Sequence, residues 1–354
     1  MATTETLRVA MAGCHRSVTA RPGSHNWGAA LAPVAEVRVV AAYDRGAETR
    51  AQFQSTWRDT WGEIALYDDY QRMLDQARPD IVCIATRQTH HCDQIVRAAA
   101  AGARGILCDK PFVTTLAEGD AALEACREAG VAIAYGTEWR WSEEYRWLAR
   151  RVRDGAVGTV QAILAHGLPN LVFHGCHWYD IALMLVGDPE PVWVGGRVDE
   201  VSPDEPDEGR RLDPPGHAWV GLANGATLAL LPEGGGRAFT ILGSAGRLEV
   251  VNDGRQAYLW EARSGTPGEN LAAAPANLEV PQPTEPWPRG PAIVRDLVHA
   301  VRNATTTRCD VPQIRRATEI GFAVHESSAA GGATVSLPVA HRSRRIDPRA
   351  WGND

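Results

Sequence analysis

Gly105-Ile106-Leu107-Cys108-Asp109-Lys110-Pro111-Phe112 decides how this chain is read. Four residues make a short apolar strand, and an acid, an amine and a proline follow at its end. Lys110 is the sole lysine: of 36 basic residues the other 35 are arginine. Arginine stays protonated and can serve any surface site, whereas a lysine amine can hand over a proton or have its pKa tuned near neutrality. Lys110 is therefore the leading candidate for proton transfer; the bland alternative is codon bias that left one lysine anywhere.

On either side of this stretch, strands and helices alternate. Leu7 to Ala12 is an apolar strand running into Gly13, and Val37 to Tyr43 is a second strand ending at Asp44. Between them Trp27 to Val34 can form a helix entered through Ser24 and Asn26, both good N-cap types. Strand, glycine turn, helix, strand and acid is the mononucleotide-binding order. Asp44 is placed to accept ribose hydroxyls, which favours NAD because a 2'-phosphate would be repelled. Arg45 can stack on adenine or meet such a phosphate, so NADP stays open.

The glycine fingerprint is broken. Cys14, His15, Arg16 and Ser17 follow Gly13, and the next glycines are Gly23 and Gly28. The loop from Cys14 to Asn26 is thus expected to be enlarged and to cover the pyrophosphate, with His15 and Arg16 as cofactor candidates. Further on, the sequence predicts helices over 47–56, 69–77, 90–101 and 116–129, and strands over 81–85, 105–109 and 131–136. Such alternation makes a parallel sheet, whose ligands lie beyond the carboxyl ends of its strands. Gly13, Asp44, Thr86-Arg87-Gln88, Lys110-Pro111 and Thr137-Glu138 gather at that edge.

After Arg140 the pattern changes. Helices are expected over 143–154 and 176–186, and strands over 160–165, 217–223, 227–231, 238–242 and 247–251. Asn224-Gly225 is a hairpin signal between two of them. Ser202 to Pro215 and Ser264 to Pro291 read as long loops, each a lid or merely mobile. Helices over 292–302 and 314–330 and a strand over 333–337 close the chain. The fold class is α/β: a Rossmann parallel sheet over residues 1–137, then an α+β domain over 138–354 with a large, mostly antiparallel open sheet.

Composition limits the alternatives. With 44% hydrophobic and 22% charged residues, the 354-residue chain matches an ordinary soluble protein long enough for two cores. No apolar run is long enough to cross a bilayer, and the start lacks a signal-peptide pattern, so a cytoplasmic location is expected. Seven cysteines without a Cys-x-x-Cys pair read as reduced thiols. A net charge of -7, with its one dense basic stretch at 341–345, argues against a nucleic-acid partner.

Cys108-Asp109-Lys110-Pro111, Gly175-Cys176-His177-Trp178-Tyr179-Asp180 and this domain order together resemble the Gfo/Idh/MocA oxidoreductases, named after glucose-fructose oxidoreductase and inositol dehydrogenase. The resemblance covers nearly the whole chain, down to Val335-Ser336-Leu337-Pro338. It implies that Lys110 hydrogen-bonds a reacting hydroxyl, that Asp109 stands in for the usual Glu, and that the Lys110–Pro111 peptide is cis. His91 matches the histidine of the family's Thr-Pro-Asn-x-x-His segment, with Arg87 and Gln88 in place of Pro-Asn. Arg140-Trp141 resembles its Arg-Phe. In the family's Asp-x-Gly-x-His-x-x-Asp motif the first position is here Phe173, with His174 next and Asn170 three residues earlier; His177 and Asp180 remain.

The function so implied is NAD(P)-dependent hydride transfer at a secondary alcohol or ketone of a sugar, amino sugar or cyclitol, with Lys110 and His177 relaying the proton. Asn170, His174 and Asp180 would face the substrate, with Trp139, Arg140, Trp141 and Trp178 beside them. The tryptophans can stack on a sugar-like ring or serve as core, and Asp180 can instead hold the helix start. No metal is expected: His174, His177 and Asp180 share a spacing that could face one, yet no fourth ligand supports it. Two rival functions are a redox-assisted lyase, hydrolase or epimerase that regenerates its cofactor each turnover, and a cofactor-binding regulator without catalysis. The sheet's uncovered face must be buried somehow, and the resemblance implies that a second subunit covers it, in a homodimer or homotetramer.

Overall fold

The computed structural model describes residues 5–206, 211–232, 234–261 and 275–347. By its contacts the chain forms two units, Met1–Trp141 with Thr284–Ile314, and Ser142–Pro283 with Arg315–Asp354.

Six strands of the first unit, β1 (Leu7–Ala12), β2 (Val37–Tyr43), β3 (Ala65–Tyr67), β4 (Ile81–Ile84), β5 (Gly105–Cys108) and β6 (Ala132–Tyr135), pair in the order β3-β2-β1-β4-β5-β6. Every pair is parallel. β4 and β5 are buried at every residue, the pattern of strands covered on both faces. This is the Rossmann sheet that the alternation predicts. Only β3 was invisible in sequence, because three residues with Tyr67 alone buried carry no period.

Crossovers are made by α1 (Trp27–Leu31), α2 (Ala47–Trp61), α3 (Tyr70–Ala77), α4 (Gln88–Ala100) and α5 (Leu116–Ala129). Asn26 caps α1 by accepting from the Ala29 N–H, while Ser24, expected as a second cap, donates to Glu138 instead. Thr115 and Glu118 form a reciprocal capping box on α5. α2 runs past Thr56 to Trp61 because Trp57 and Trp61 lie on its buried face, their rings 4.9 Å apart.

Strand order reverses between β1 and β4, and Gly13 sits at that point with φ +88°. A Cβ there would stand 2.5 Å from the carbonyl oxygen of Ala85. Glycine alone fits so close a pass at this backbone angle.

In the second unit α6 (Glu143–Arg153) precedes β7 (Val160–His166), and α7 (Gly175–Leu185) precedes β8 (Pro191–Val198), β9 (Gly216–Leu222), β10 (Thr227–Leu231), β11 (Ala238–Gly243), β12 (Gly246–Val251), β13 (Gln256–Glu261) and β14 (Ala276–Leu278). With β15 (Val335–Ser336) they form one sheet ordered β14-β13-β12-β11-β7-β10-β9-β8-β15. All neighbours are antiparallel except β7 and β10. Asn224-Gly225 turns β9 into β10 with Gly225 at φ +87° and the Asn224 side chain accepting from Ala226, the hairpin its sequence predicts. β14 lies in a stretch expected to be loop, of which 264–274 falls outside the described residues. β15 is shorter than the expected strand over 333–337.

One face of this sheet buries Ile163, Ala165, Val220, Leu228, Leu230, Phe239, Ile241 and Leu248, and α7 packs on β7. The other face carries Trp219, 56% exposed, and Trp193, whose ring fills the place of a Gly221 side chain.

Two helices complete the fold, α8 (Arg289–Asn303) and α9 (Val311–Ala329). α8 covers β5 and β6 of the first unit: a Cβ on Gly105 would lie 2.7 Å from Val301 and 3.3 Å from Leu297, and nearby Thr307 donates to the Ile133 carbonyl. α8 thus falls within the expected second domain of 138–354 yet belongs with the first unit, since an apolar helix stripe does not announce which sheet it covers. Among the described residues no helix is long and apolar enough to cross a membrane.

Candidate active site

The carboxyl edge of the parallel sheet follows from the strand ends. Asp44, closing β2, accepts from the Cys14 N–H at 2.8 Å and the Gly46 N–H at 2.9 Å. Each carboxylate oxygen keeps a further lone pair. His15 and Arg16 form an exposed single turn in the enlarged loop, and Arg45 is exposed beside Asp44. Thr86 donates to the Gln94 side chain; Arg87 is half-buried and Gln88 buried.

His91 is fully buried, with Nδ1 3.1 Å from the Phe112 carbonyl and Nε2 3.0 Å from the Thr86 carbonyl. Burial pushes its pKa down. It bolts the turn after β4 to the turn after β5.

Lys110 is 8% exposed, and its peptide bond to Pro111 is cis, as the resemblance implied. Its backbone N–H donates to Asp109 Oδ1 at 2.8 Å, and His25 Nδ1 stands 2.8 Å from the same oxygen. Burial alone would raise the Asp109 pKa, but the charges and hydrogen bonds of His25 and Lys110 outweigh it and hold the carboxyl below its usual value.

Glu138 is buried and accepts from Ser24 Oγ at 2.7 Å, Trp287 Nε1 at 2.8 Å and Arg289 at 3.4 Å. Arg289 also lies 3.7 Å over the Trp139 ring. Trp141 is buried and donates to Asp296, and Arg140 is buried. Glu138, Trp139 and Trp141 thus take part in fastening this edge to α8.

In the second unit the residues around α7 are set by a turn. The Asn170 side chain accepts from the His174 N–H at 2.7 Å and faces His174 Nδ1 at 3.0 Å with its amide nitrogen. Nδ1 is therefore the acceptor, so a neutral His174 carries its proton on Nε2. Phe173 is 8% exposed and meets the His174 ring edge-on at 4.6 Å. His177 and Asp180 are buried on α7. Trp178 donates to the His166 carbonyl, with Arg237 4.4 Å over its ring.

Asp213, fully buried, supports this turn. Its carboxylate accepts the N–H groups of Val172 (2.9 and 3.0 Å) and Phe173 (2.8 Å), with His325 3.4 Å away. It belongs to the stretch read as a lid or mobile loop, of which 207–210 lies outside the described residues. Asp213, His25, Trp287 and Arg289 were not among the expected site residues, and Ser24 was expected only as a helix cap. Only His25 and Ser24 carried a signal, their place beside a helix cap. Among the described residues no three His, Cys, Asp or Glu side chains are grouped to hold a metal ion.

A parallel sheet in this order, with a glycine at the reversal and an acid closing β2, is the arrangement of a dinucleotide-binding Rossmann domain. Residues 7–137 match the model of the oxidoreductase family with an NAD-binding Rossmann fold. Over that domain, which is less than half of the chain, it is similar to the Gfo/Idh/MocA family. It is 35% identical to D-apiose dehydrogenase of Paraburkholderia graminis over 36% of this chain and 38% of that protein. It is 25% identical to D-glucoside 3-dehydrogenase of Escherichia coli over 37% and 42%. The match thus spans less than half of either relative. Among solved structures, levoglucosan dehydrogenase in complex with NADH and levoglucosan shares the fold over 94% of this chain and 100% of its own, with a TM-score of 0.73 at 18% identity.

Replacing Asp213 by Ala leaves two buried N–H groups without their acceptor, each worth about 1 to 3 kcal/mol. The unfolding free energy from a urea titration should fall by about 2 to 6 kcal/mol. A loss below about 0.5 kcal/mol, the scatter of ordinary surface substitutions, would show that another contact holds the turn.

Proposed function

We propose that the protein is an NAD-dependent dehydrogenase that oxidises a secondary alcohol of a sugar, amino sugar or cyclitol, or reduces the matching ketone. What supports this most is the chain's one lysine, buried at the carboxyl end of β5 in an NAD-binding family domain. The named relatives act on apiose and glucosides, and the structural neighbour was solved with an anhydro-sugar.

The residues at the edge fit a dinucleotide. Gly13 leaves bare backbone at the reversal, and Asp44 keeps lone pairs for ribose hydroxyls. A bound nicotinamide exchanges the hydride. The chain's part is the proton: as the alcohol C–H bond breaks, the O–H proton passes to the Lys110 amine, and the carbonyl forms. Asp109 holds the backbone from which that amine extends. His174, with its proton on Nε2, serves as a donor to a substrate oxygen, and His177 is the second candidate for proton transfer.

Dehydrogenase activity is read from nicotinamide absorbance on a panel of apiose, glucosides, inositols and anhydro-sugars. Lys110→Ala and His177→Ala should each cost about 2 to 4 orders of magnitude in turnover. Lys110→Arg should cost nearly as much as Lys110→Ala, because charge returns without a transferable proton. Full activity of Lys110→Arg would remove the lysine from the mechanism, and product without net cofactor change would shift the reading to a redox-assisted lyase, hydrolase or epimerase.

Cofactor preference gives a second measurement. Asp44→Asn keeps the shape and removes the charge, so the ratio of NAD to NADP affinity, taken from fluorescence titrations, should shrink at least several-fold. An unchanged ratio would move discrimination to Arg45 or the enlarged loop.

We also infer a homodimer formed through the open face of the second unit's sheet, where Trp219 stands exposed beside Trp193. Light scattering should give twice the 38.3 kDa chain mass, and Trp219→Glu should halve it. A wild-type monomer at micromolar concentration would end this assignment.

A further inference from the structure

Residues 24 to 26 stand directly before α1, in the loop where the glycine fingerprint is missing, and each is pinned by its own side chain. Ser24 donates to Glu138, and His25 meets Asp109. Asn26 reaches the carbonyls of Thr19 at 2.8 Å and Arg21 at 2.9 Å, and caps α1. His25, the middle one, holds φ +68°, a left-handed conformation that costs energy in any residue with a bulky side chain. Strain of this kind persists only where surrounding contacts over-determine it, and here the contact is a carboxylate beside the chain's sole lysine.

That carboxylate is closely confined. Asp109 Oδ1 is shared between the His25 imidazole and the Lys110 N–H, each at 2.8 Å. On a third side, a Cβ on Gly136 would lie 2.8 Å from the same oxygen, so only glycine leaves room for it. The imidazole therefore reaches the Lys110 backbone through one oxygen atom, and the Lys110 charge in turn helps hold the Asp109 carboxyl below its usual value.

We propose that His25 is a positioning residue: its hydrogen bond to Asp109 fixes the carboxylate beside Lys110 and so sets how readily the lysine amine gives up its proton. This rests on Lys110 as the proton-transfer group. A carboxylate whose charge is partly satisfied by a donor is a weaker partner for a neighbouring ammonium. With His25 in place, Lys110 releases its proton at lower pH than it would beside an unrelieved Asp109. Among the described residues His91, Cys83 and Cys108 also feel Asp109, and all three are fully buried. Burial holds His91 toward its neutral form and keeps both thiols protonated, so none of these three competes with His25 for the carboxylate.

Because Lys110 is the sole lysine, its amine can be followed without turnover. The full-length protein is treated with an acetylating reagent across about pH 6 to 11, the span in which lysine amines titrate, and acetyl-Lys110 is quantified by peptide mass spectrometry. His25→Gly, at ease at this φ, removes the imidazole without adding strain. It should raise the pH of half-labelling by about half a unit or more, a threefold or larger drop in labelling rate at fixed pH. His25→Asn keeps a donor and tolerates the left-handed backbone, so it should stay near wild type. Combined with Asp109→Asn, His25→Gly should have no further effect, as required of a residue that acts through that carboxylate. An unmoved profile in His25→Gly overturns the proposal, and so does a shift of equal size when Asp109 is also replaced. If Lys110→Arg proves fully active while His25→Gly still moves the labelling, the catalytic reading of Lys110 falls and the coupling stands.

Discussion

A carboxylate taken out of water must be met by donors, and the local geometry of this protein turns on three that are. Asp109 is met by an imidazole and a backbone N–H, Glu138 by a hydroxyl, an indole and a guanidinium, and Asp213 by two consecutive backbone N–H groups. In each case the acid joins pieces of chain far apart in sequence. Glu138 ties the loop before α1 to the start of α8, and Asp213 ties a Pro-rich loop to the turn before α7. Removing an acid from such a node would leave its donors buried and unpaired, which costs more than the node itself contributes.

The alternating halves of the sequence made the sheets legible because their signal is local. A run such as Ile81–Ile84, apolar throughout and short, fits a strand buried on both faces, and Asn224-Gly225 is a strong hairpin signal. The parallel character of the first sheet followed from the alternation of strands and helices and needed no distant contact. In the second sheet, β7 pairs in parallel with β10 across more than sixty residues, and nothing in either strand's pattern announces that partner.

The site was legible where a residue type is scarce or a motif fixed, and illegible where it depends on tertiary pairing. Lys110 stood out by its solitude, and Asp44 by closing a strand. His25 and Asp213 carry no periodicity and sit in loops; each matters because of an atom 84 or 41 residues away along the chain. Trp141 and Trp178 look like sugar platforms in sequence, yet both indole N–H groups are spent on protein acceptors, which favours the core reading for those two.

The return of α8 to the first sheet also bears on how the chain is made. Leu297 and Val301 are needed to cover Gly105 and β5, yet they are synthesised only after the whole stretch from Ser142 to Pro283. A nascent chain that has just completed β6 therefore holds its six-stranded sheet with one flank still bare, and must keep it from sticking to neighbours while the second unit emerges. The nucleotide-binding half of this protein is contiguous in space but not in time, and residues 1–141 cut out by themselves would expose the apolar surface that α8 was made to cover.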